Sequence, residues 1–427
     1  MTASPAGRAW TTRDRLLLAL IVLAAIAIRV ALLPTSGLTG DMAEFARWIH
    51  GIVQDGLPRA YDQDLTFPPV MAYVWALIGA AHPSFATSAS FDDPSVRAAM
   101  KLPASLADLG LAAAMIWWFR DRPGTALLAV AGTLLLPVTW YTSAWWGQYE
   151  SIYVLWAVLA LCAARTDRPH VAAALLALSV LSKPQALPFL VPFVAWVFAR
   201  GGPRLVATTA LTGAVVAVVL WLPFLPAGGP VNYLASIGSH QNDTFNVLSL
   251  RAWNPWWLVQ GQLIQDAFVA DGNTILGPLT FRHVGLVLAG LLEVLVFLAV
   301  VRRPTIERLV LGTVLASLGA YLTLTTMHER YAYPAVILLT LLIAERRYLV
   351  AWLVAQAVVA LNLVAAAPAT SELGGLIRID GPLALPTVIA LLAVAVVVAA
   401  RLVATASPEA GPSTGGRASA VDVPSRV

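Results

Sequence analysis

The chain has 427 residues, 59% of them hydrophobic and only 12% charged, with a mean hydropathy of +0.76. No water-soluble globule covers that much apolar side chain, so the composition excludes a soluble enzyme and implies an integral membrane protein. The net charge of +4 and pI near 9.4 come from arginines in small groups between apolar runs, not from one basic face. That pattern reads as membrane topology and not as a nucleic-acid surface.

In chain order, Arg13 and Arg15 precede the first apolar run, 16–33. The run is long for a signal peptide and has no small-x-small cleavage site, so it is expected to remain as a first span. Further runs cover 102–119, 124–143, 150–164, 170–182, 185–199, 204–223, 282–301, 308–326, 331–344, 348–366 and 384–402. The expected fold is therefore all-α, a polytopic bundle of about twelve transmembrane helices suited to a roughly 30 Å hydrocarbon core. Helices satisfy their own backbone there, whereas continuous runs such as 388–400 lack the alternation of an outer-membrane barrel.

Arginines at 8/13/15, 120/122, 165/168, 200/204, 302/303/308, 346/347 and 401 all fall on one side of this count. By the positive-inside rule that side is cytoplasmic, and it holds both termini: segment 1–15 and a Pro/Gly/Ser/Ala-rich tail, 404–427, expected to be disordered. Residues 16–403 form the membrane domain, with outer loops at 34–101 and 224–281. This register requires 68–82 to lie along or dip into the outer surface, as its Pro-Pro start and short length suggest. Within the first loop, Met42, Phe45, Ile49 and Ile52 make one stripe of an amphipathic interfacial helix over 40–53. Trp253, Trp256 and Trp257 in the second loop suit a headgroup zone.

The candidate chemistry gathers on the outer side. Asp41 begins the interfacial helix with Thr39 as its cap, and Glu44 follows one turn later. A carboxylate there can accept a proton from an incoming hydroxyl, or serve only the helix dipole. Phe67-Pro68-Pro69 fixes an extended approach to the next helix. Trp145-Trp146-Gly147-Gln148-Tyr149-Glu150 combines rings with an amide and a carboxylate, which suits a sugar as well as an aromatic belt. Lys183, one of two lysines, sits in Ser182-Lys183-Pro184-Gln185 between short apolar runs, where it needs a lipid phosphate or a carboxylate. His328-Glu329-Arg330 presents a cation toward a leaving phosphate, with a histidine to donate a hydrogen bond. Asn242–Asn246, near Arg251, forms a polar outer patch able to line an acceptor groove. Arg29 and Asp108 are placed to snorkel or pair, and Glu293 and Asn362 to join helices. The single cysteine, Cys162, gives no disulfide or zinc set, and the histidines lack metal spacing.

Together, Gly40-Asp41, Phe67-Pro68-Pro69, Gly147-Gln148-Tyr149-Glu150, Lys183-Pro184-Gln185 and His328-Glu329-Arg330 resemble the GT-C superfamily of polyprenyl-phosphate-sugar-dependent glycosyltransferases. The resemblance covers most of the membrane core. It is closest to bacterial relatives of the GPI-anchor mannosyltransferases, and secondarily to dolichyl-phosphate-glucose-dependent glucosyltransferases. It implies a bacterial plasma-membrane enzyme that moves a hexose, mannose first, from a polyprenyl-phosphate sugar to a hydroxyl of a glycan, glycolipid or protein acceptor. Asp41 matches the catalytic carboxylate. Substrate contacts are expected from Glu44, Gln148, Glu150, Lys183, Gln185, Arg251, His328, Glu329 and Arg330. Glu150 stands where such proteins more often have Asp, which leaves it a substrate or metal contact; no cofactor is required, and a divalent cation stays open. The competing class is a secondary transporter or lipid flippase, whose ionisable groups sit near the midplane.

Overall fold

The computed structural model describes residues 8–266 and 268–404, so the predicted tail lies almost wholly outside the described residues. The first half of the chain forms α1 (Thr12–Leu32), α2 (Thr39–Asp55), α3 (Pro69–Ala81), α4 (Pro94–Trp118), α5 (Pro123–Leu135), the short α6 (Pro137–Trp140), α7 (Glu150–Arg165), α8 (Pro169–Val180) and α9 (Leu190–Trp221). The second half adds α10 (Gly229–Asp243), β1 (Ser249–Leu250), α11 (Pro255–Leu258), β2 (Thr274–Leu276), β3 (Leu279–Thr280), α12 (Phe281–Arg302) and α13 (Ile306–Thr323). β4 (Met327–His328), α14 (Tyr333–Thr340), α15 (Arg346–Ala366), α16 (Ser371–Leu376) and α17 (Ala384–Val403) complete it.

Eight helical segments among the described residues are long and apolar enough to cross a membrane. The chain is thus an all-α integral membrane protein with two minimal strand pairs. Helices recur at the expected apolar runs within a few residues, but α7, α8 and α14, with 16, 12 and 8 residues, fall short of the length rule. One continuous segment replaces the two runs expected at 185–223, but Gly201 and Gly202 are non-helical inside it and Pro203 follows, so it breaks where the sequence separated them. Leu211, Val215 and Val218 of α9, Leu286, Leu291 and Val294 of α12, and Ile389 and Val396 of α17 are exposed, as hydrocarbon permits and water does not. By contrast α13 is buried on nearly every side, against α9, α12, α14 and α17.

Several local expectations change with the packing. The stripe Met42, Phe45, Ile49 and Ile52 is buried in protein, not laid on lipid: Trp48 stands 5.1 Å from Trp75 of α3, and Phe45 5.1 Å from Tyr149. Thr39 is the first residue of α2, and the N-cap, Leu38, makes no side-chain bond. Trp253 and Trp256 are buried, their indole nitrogens donating to the Ile379 and Thr323 carbonyls instead of reaching headgroups.

Arg29 and Asp108 pair inside the bundle. Asp108 Oδ2 accepts from Arg29 Nε at 3.1 Å and Nη2 at 2.8 Å, and the Ser143 and Ser151 hydroxyls also donate to this carboxylate. Arg29 Nη1 donates to the Ala25 and Leu134 carbonyls, so one ion pair ties α1, α4, α5 and α7. Breaking a buried pair leaves an uncompensated charge, whereas replacing both partners does not. Arg29→Leu is therefore expected to cost about 3–5 kcal/mol of stability, and Arg29→Leu with Asp108→Leu clearly less, measured by unfolding in detergent micelles.

Candidate functional site

Two glycines set the backbone that holds Asp41. Gly37 (φ +65°) passes so close to the 145–146 segment that a Cβ would sit 2.7 Å from the Trp146 carbonyl oxygen. Gly147 (φ +95°) ends a π-helical turn, Tyr141–Trp146, and a Cβ there would meet Met42 Sδ at 2.5 Å. These positive φ values favour glycine. The close approach lets Trp146 Nε1 donate to Asp41 Oδ2 at 2.8 Å and Gln148 Nε2 donate to the same oxygen at 2.5 Å. Asp41 Oδ1 has no hydrogen bond among the described residues, which leaves one carboxylate oxygen fixed and the other available.

Asp41 and Trp146 line a cavity of about 720 Å³ together with Arg251, His328, Glu329 and Arg330. The 224–281 loop reaches this cavity because β1 pairs in parallel with β4, setting Ser249 opposite Met327 and Leu250 opposite His328. Arg251 follows directly in a left-handed conformation (φ +60°), a strained state for a side chain other than glycine. Its Nη1 donates to the Ala366 carbonyl at 3.0 Å, and it has no carboxylate partner among the described residues. Asn362 braces this region: Oδ1 accepts from Trp253 N, and Nδ2 donates to the Arg251 carbonyl. Trp257, Gln265, Asp266, Phe268 and Asp380 also border the cavity. The sequence reading did not single out the last four, and no local motif marks them.

Arg330 is held by one carboxylate hydrogen bond and one ion pair whose Nε makes no hydrogen bond. Nη1 donates to Glu329 Oε1 at 3.0 Å, Nε lies 3.3 Å from Glu150 Oε1, and the guanidinium carbon is 5.5 Å from the centre of the Trp146 ring. Glu150 Oε1 also accepts from Lys183 Nζ at 2.5 Å. Lys183 thus meets the carboxylate named as its alternative partner, and it does not line the cavity. Its turn is held by Val70 N donating to the Leu181 carbonyl, and its ammonium lies 5.3 Å from the Phe67 ring, so the Pro-Pro segment supports the hairpin.

The remaining candidates stand outside the wall. Glu44 faces Arg47 at 3.8 Å and His240 at 4.0 Å, the buried Gln185 side-chain oxygen has no hydrogen bond, and none of Asn242–Asn246 reaches the cavity. Gln148 and Glu150 lie just behind Asp41 and Arg330, each fully buried with one oxygen that has no hydrogen bond. Glu293 is likewise left with a buried oxygen lacking a partner, so it does not join helices. No group of three or more His, Cys, Asp or Glu side chains that could hold a metal ion occurs among the described residues.

The charges here are set by burial and by one another. Burial pushes Glu44 up, with His240 and Arg47 opposing. Burial would also raise Glu329, but His328 and Arg330 outweigh it and hold the carboxyl at about 2. Burial and the Arg330 charge lower His328, leaving it neutral near pH 7. Burial would lower Arg330; the carboxylates of Asp41, Glu329 and Glu150 reverse this and raise it, so the guanidinium stays charged.

No protein-family model matches this chain, and no curated protein sequence matches it.

The shifts of His328 and Glu329 predict acid sensitivity. The unfolded histidine takes its proton near 6.5 and the unfolded carboxyl near 4.5, both above their folded values. Protons therefore favour the unfolded chain: the stability from these groups is complete above about pH 6.5 and declines as pH falls toward 2. Thermal midpoints in detergent should drop between about pH 7 and pH 4, and His328→Gln should flatten the upper part of that drop.

Proposed function

We propose that the protein is a GT-C-type glycosyltransferase transferring a hexose, mannose first, from a polyprenyl-phosphate sugar to a hydroxyl acceptor. The observation that carries this reading is Asp41 on a cavity wall shared with Arg251 and Arg330, one oxygen held by two donors and the other free. A carboxylate so placed meets the geometric demand on a general base, and the cations meet the demand on groups that stabilise a departing phosphate.

In this reading the acceptor oxygen attacks the anomeric carbon as its proton passes to Asp41 Oδ1. The bond from that carbon to the phosphate oxygen breaks with inversion, and its electron pair leaves on the polyprenyl phosphate. Trp146 and Gln148 keep the base oriented through Oδ2. Arg251, whose side-chain hydrogen bond goes to a carbonyl, is the cation readiest to receive phosphate, with Arg330 beside it. The cavity opens to the outer side of a bacterial plasma membrane, and both termini are cytoplasmic. Dividing α9 at Gly201–Gly202 and adding α7, α8 and the 333–344 segment to the eight long segments gives twelve crossings. Short crossings are tolerated where neighbours cover the exposed backbone.

Purified protein incubated with polyprenyl-phospho-mannose, -glucose and -arabinose should release the lipid phosphate with sugar transfer from one of them. Asp41→Asn should fold yet lose about 10²–10⁴-fold in turnover. Full turnover by a folded Asp41→Asn protein would end the assignment.

A further inference from the structure

Glu150 is the charged residue at the site that the proposed chemistry leaves without a task. It opens α7, is 0% exposed and is absent from the cavity wall, so it does not reach a ligand there. Yet two cations converge on one of its oxygens, Lys183 Nζ at 2.5 Å and Arg330 Nε at 3.3 Å. A buried carboxylate needs one counter-charge to be tolerated, and a second cation needs its own reason.

The geometry of Arg330 supplies it. Nη1 is held by a hydrogen bond to Glu329, Nε faces Glu150 Oε1 at 3.3 Å as an ion pair without a hydrogen bond, and Nη2 carries no hydrogen bond among the described residues. A guanidinium presents its donors as a rigid planar fork, so one bonded nitrogen and a carboxylate charge beside another together set the direction of the third. Two carboxylates on one cation would leave excess negative charge beside a phosphate site, and Lys183 cancels it. Glu150, Glu329, Lys183 and Arg330 then balance, and Asp41, whose charge also acts on Arg330, takes its hydrogen bonds from two neutral donors, Trp146 and Gln148.

We propose that Glu150 is a positioning residue that fixes the Arg330 guanidinium at the cavity wall, and that Lys183 is its internal counter-charge and not a phosphate ligand. The proposal rests on the function above only where turnover or lipid binding is read. It makes Glu150 neither acid nor base: its substitution disturbs the step through Arg330.

A double-mutant cycle tests it on the full-length protein, with polyprenyl monophosphate as the binding probe. Glu150→Gln keeps the shape and should weaken probe binding roughly tenfold or more, as coupled neighbours do. The pH dependence of turnover should keep its position. Lys183→Met should cost a similar factor alone but less than about twofold in the Glu150→Gln background. Equal Lys183→Met losses in both backgrounds would make Lys183 a direct ligand, and a displaced pH profile in Glu150→Gln would make Glu150 a titrating participant; either result overturns the proposal. If the wild-type protein binds no polyprenyl phosphate, the function above fails and the same cycle read from thermal unfolding decides this proposal. Coupled losses there support it, and additive losses overturn it.

Discussion

In a chain this apolar, a charge removed from water must meet its opposite, and around the Glu150 carboxylate that demand organises the whole site. Lys183 arrives from the turn between α8 and α9, Arg330 from the segment between β4 and α14, and Glu150 from the start of α7. Three distant parts of the chain are thus held at one point by charges that would be intolerable apart. The Arg29–Asp108 pair does the same deeper in the bundle, linking α1 and α4 to the serines at 143 and 151. Through Ser151 and the Tyr333 hydroxyl, this inner network reaches the helix that follows Arg330.

Asp41 is placed by backbone instead of by a counter-charge. The loop before α2 passes the π-helical turn closely enough that Gly37 and Gly147 admit no side chain. Lys101, fully buried, donates from Nζ to the Thr35 carbonyl at 2.8 Å and so pins the same loop. Trp146 then serves two neighbours: its N–H bonds Asp41, and its ring lies beneath Arg330. Carboxylate and guanidinium are consequently registered to one rigid indole, which is how a site fixes relative geometry without a direct bond between its charges.

The 224–281 loop contributes through a two-residue strand pair whose partners are far apart in sequence. Backbone bonds between Ser249–Leu250 and Met327–His328 carry Arg251 to the cavity, and the left-handed conformation at Arg251 is the local cost. Asp271, buried and bonded to Arg282 and Thr325, fastens the far end of the loop. Between these anchors lie Gln265, Asp266 and Phe268, which complete the cavity wall.

The sequence by itself determined the helical membrane class, the positions of the long apolar helices, and the segments on which the candidate residues lie. Those follow from hydropathy, run length and proline placement, which are local and additive along the chain. It also marked Asp41, Gln148, Glu150, Lys183 and Arg330, because polar groups beside apolar runs are conspicuous against such a background. What each of them touches was decided by tertiary structure alone. Whether Lys183 meets a phosphate or Glu150, whether the α2 stripe covers lipid or Trp75, and whether Trp253 reaches headgroups or the Ile379 carbonyl depend on helices brought together from distant positions. Pairing energies fall steeply with distance, and spacing along a chain does not contain that distance.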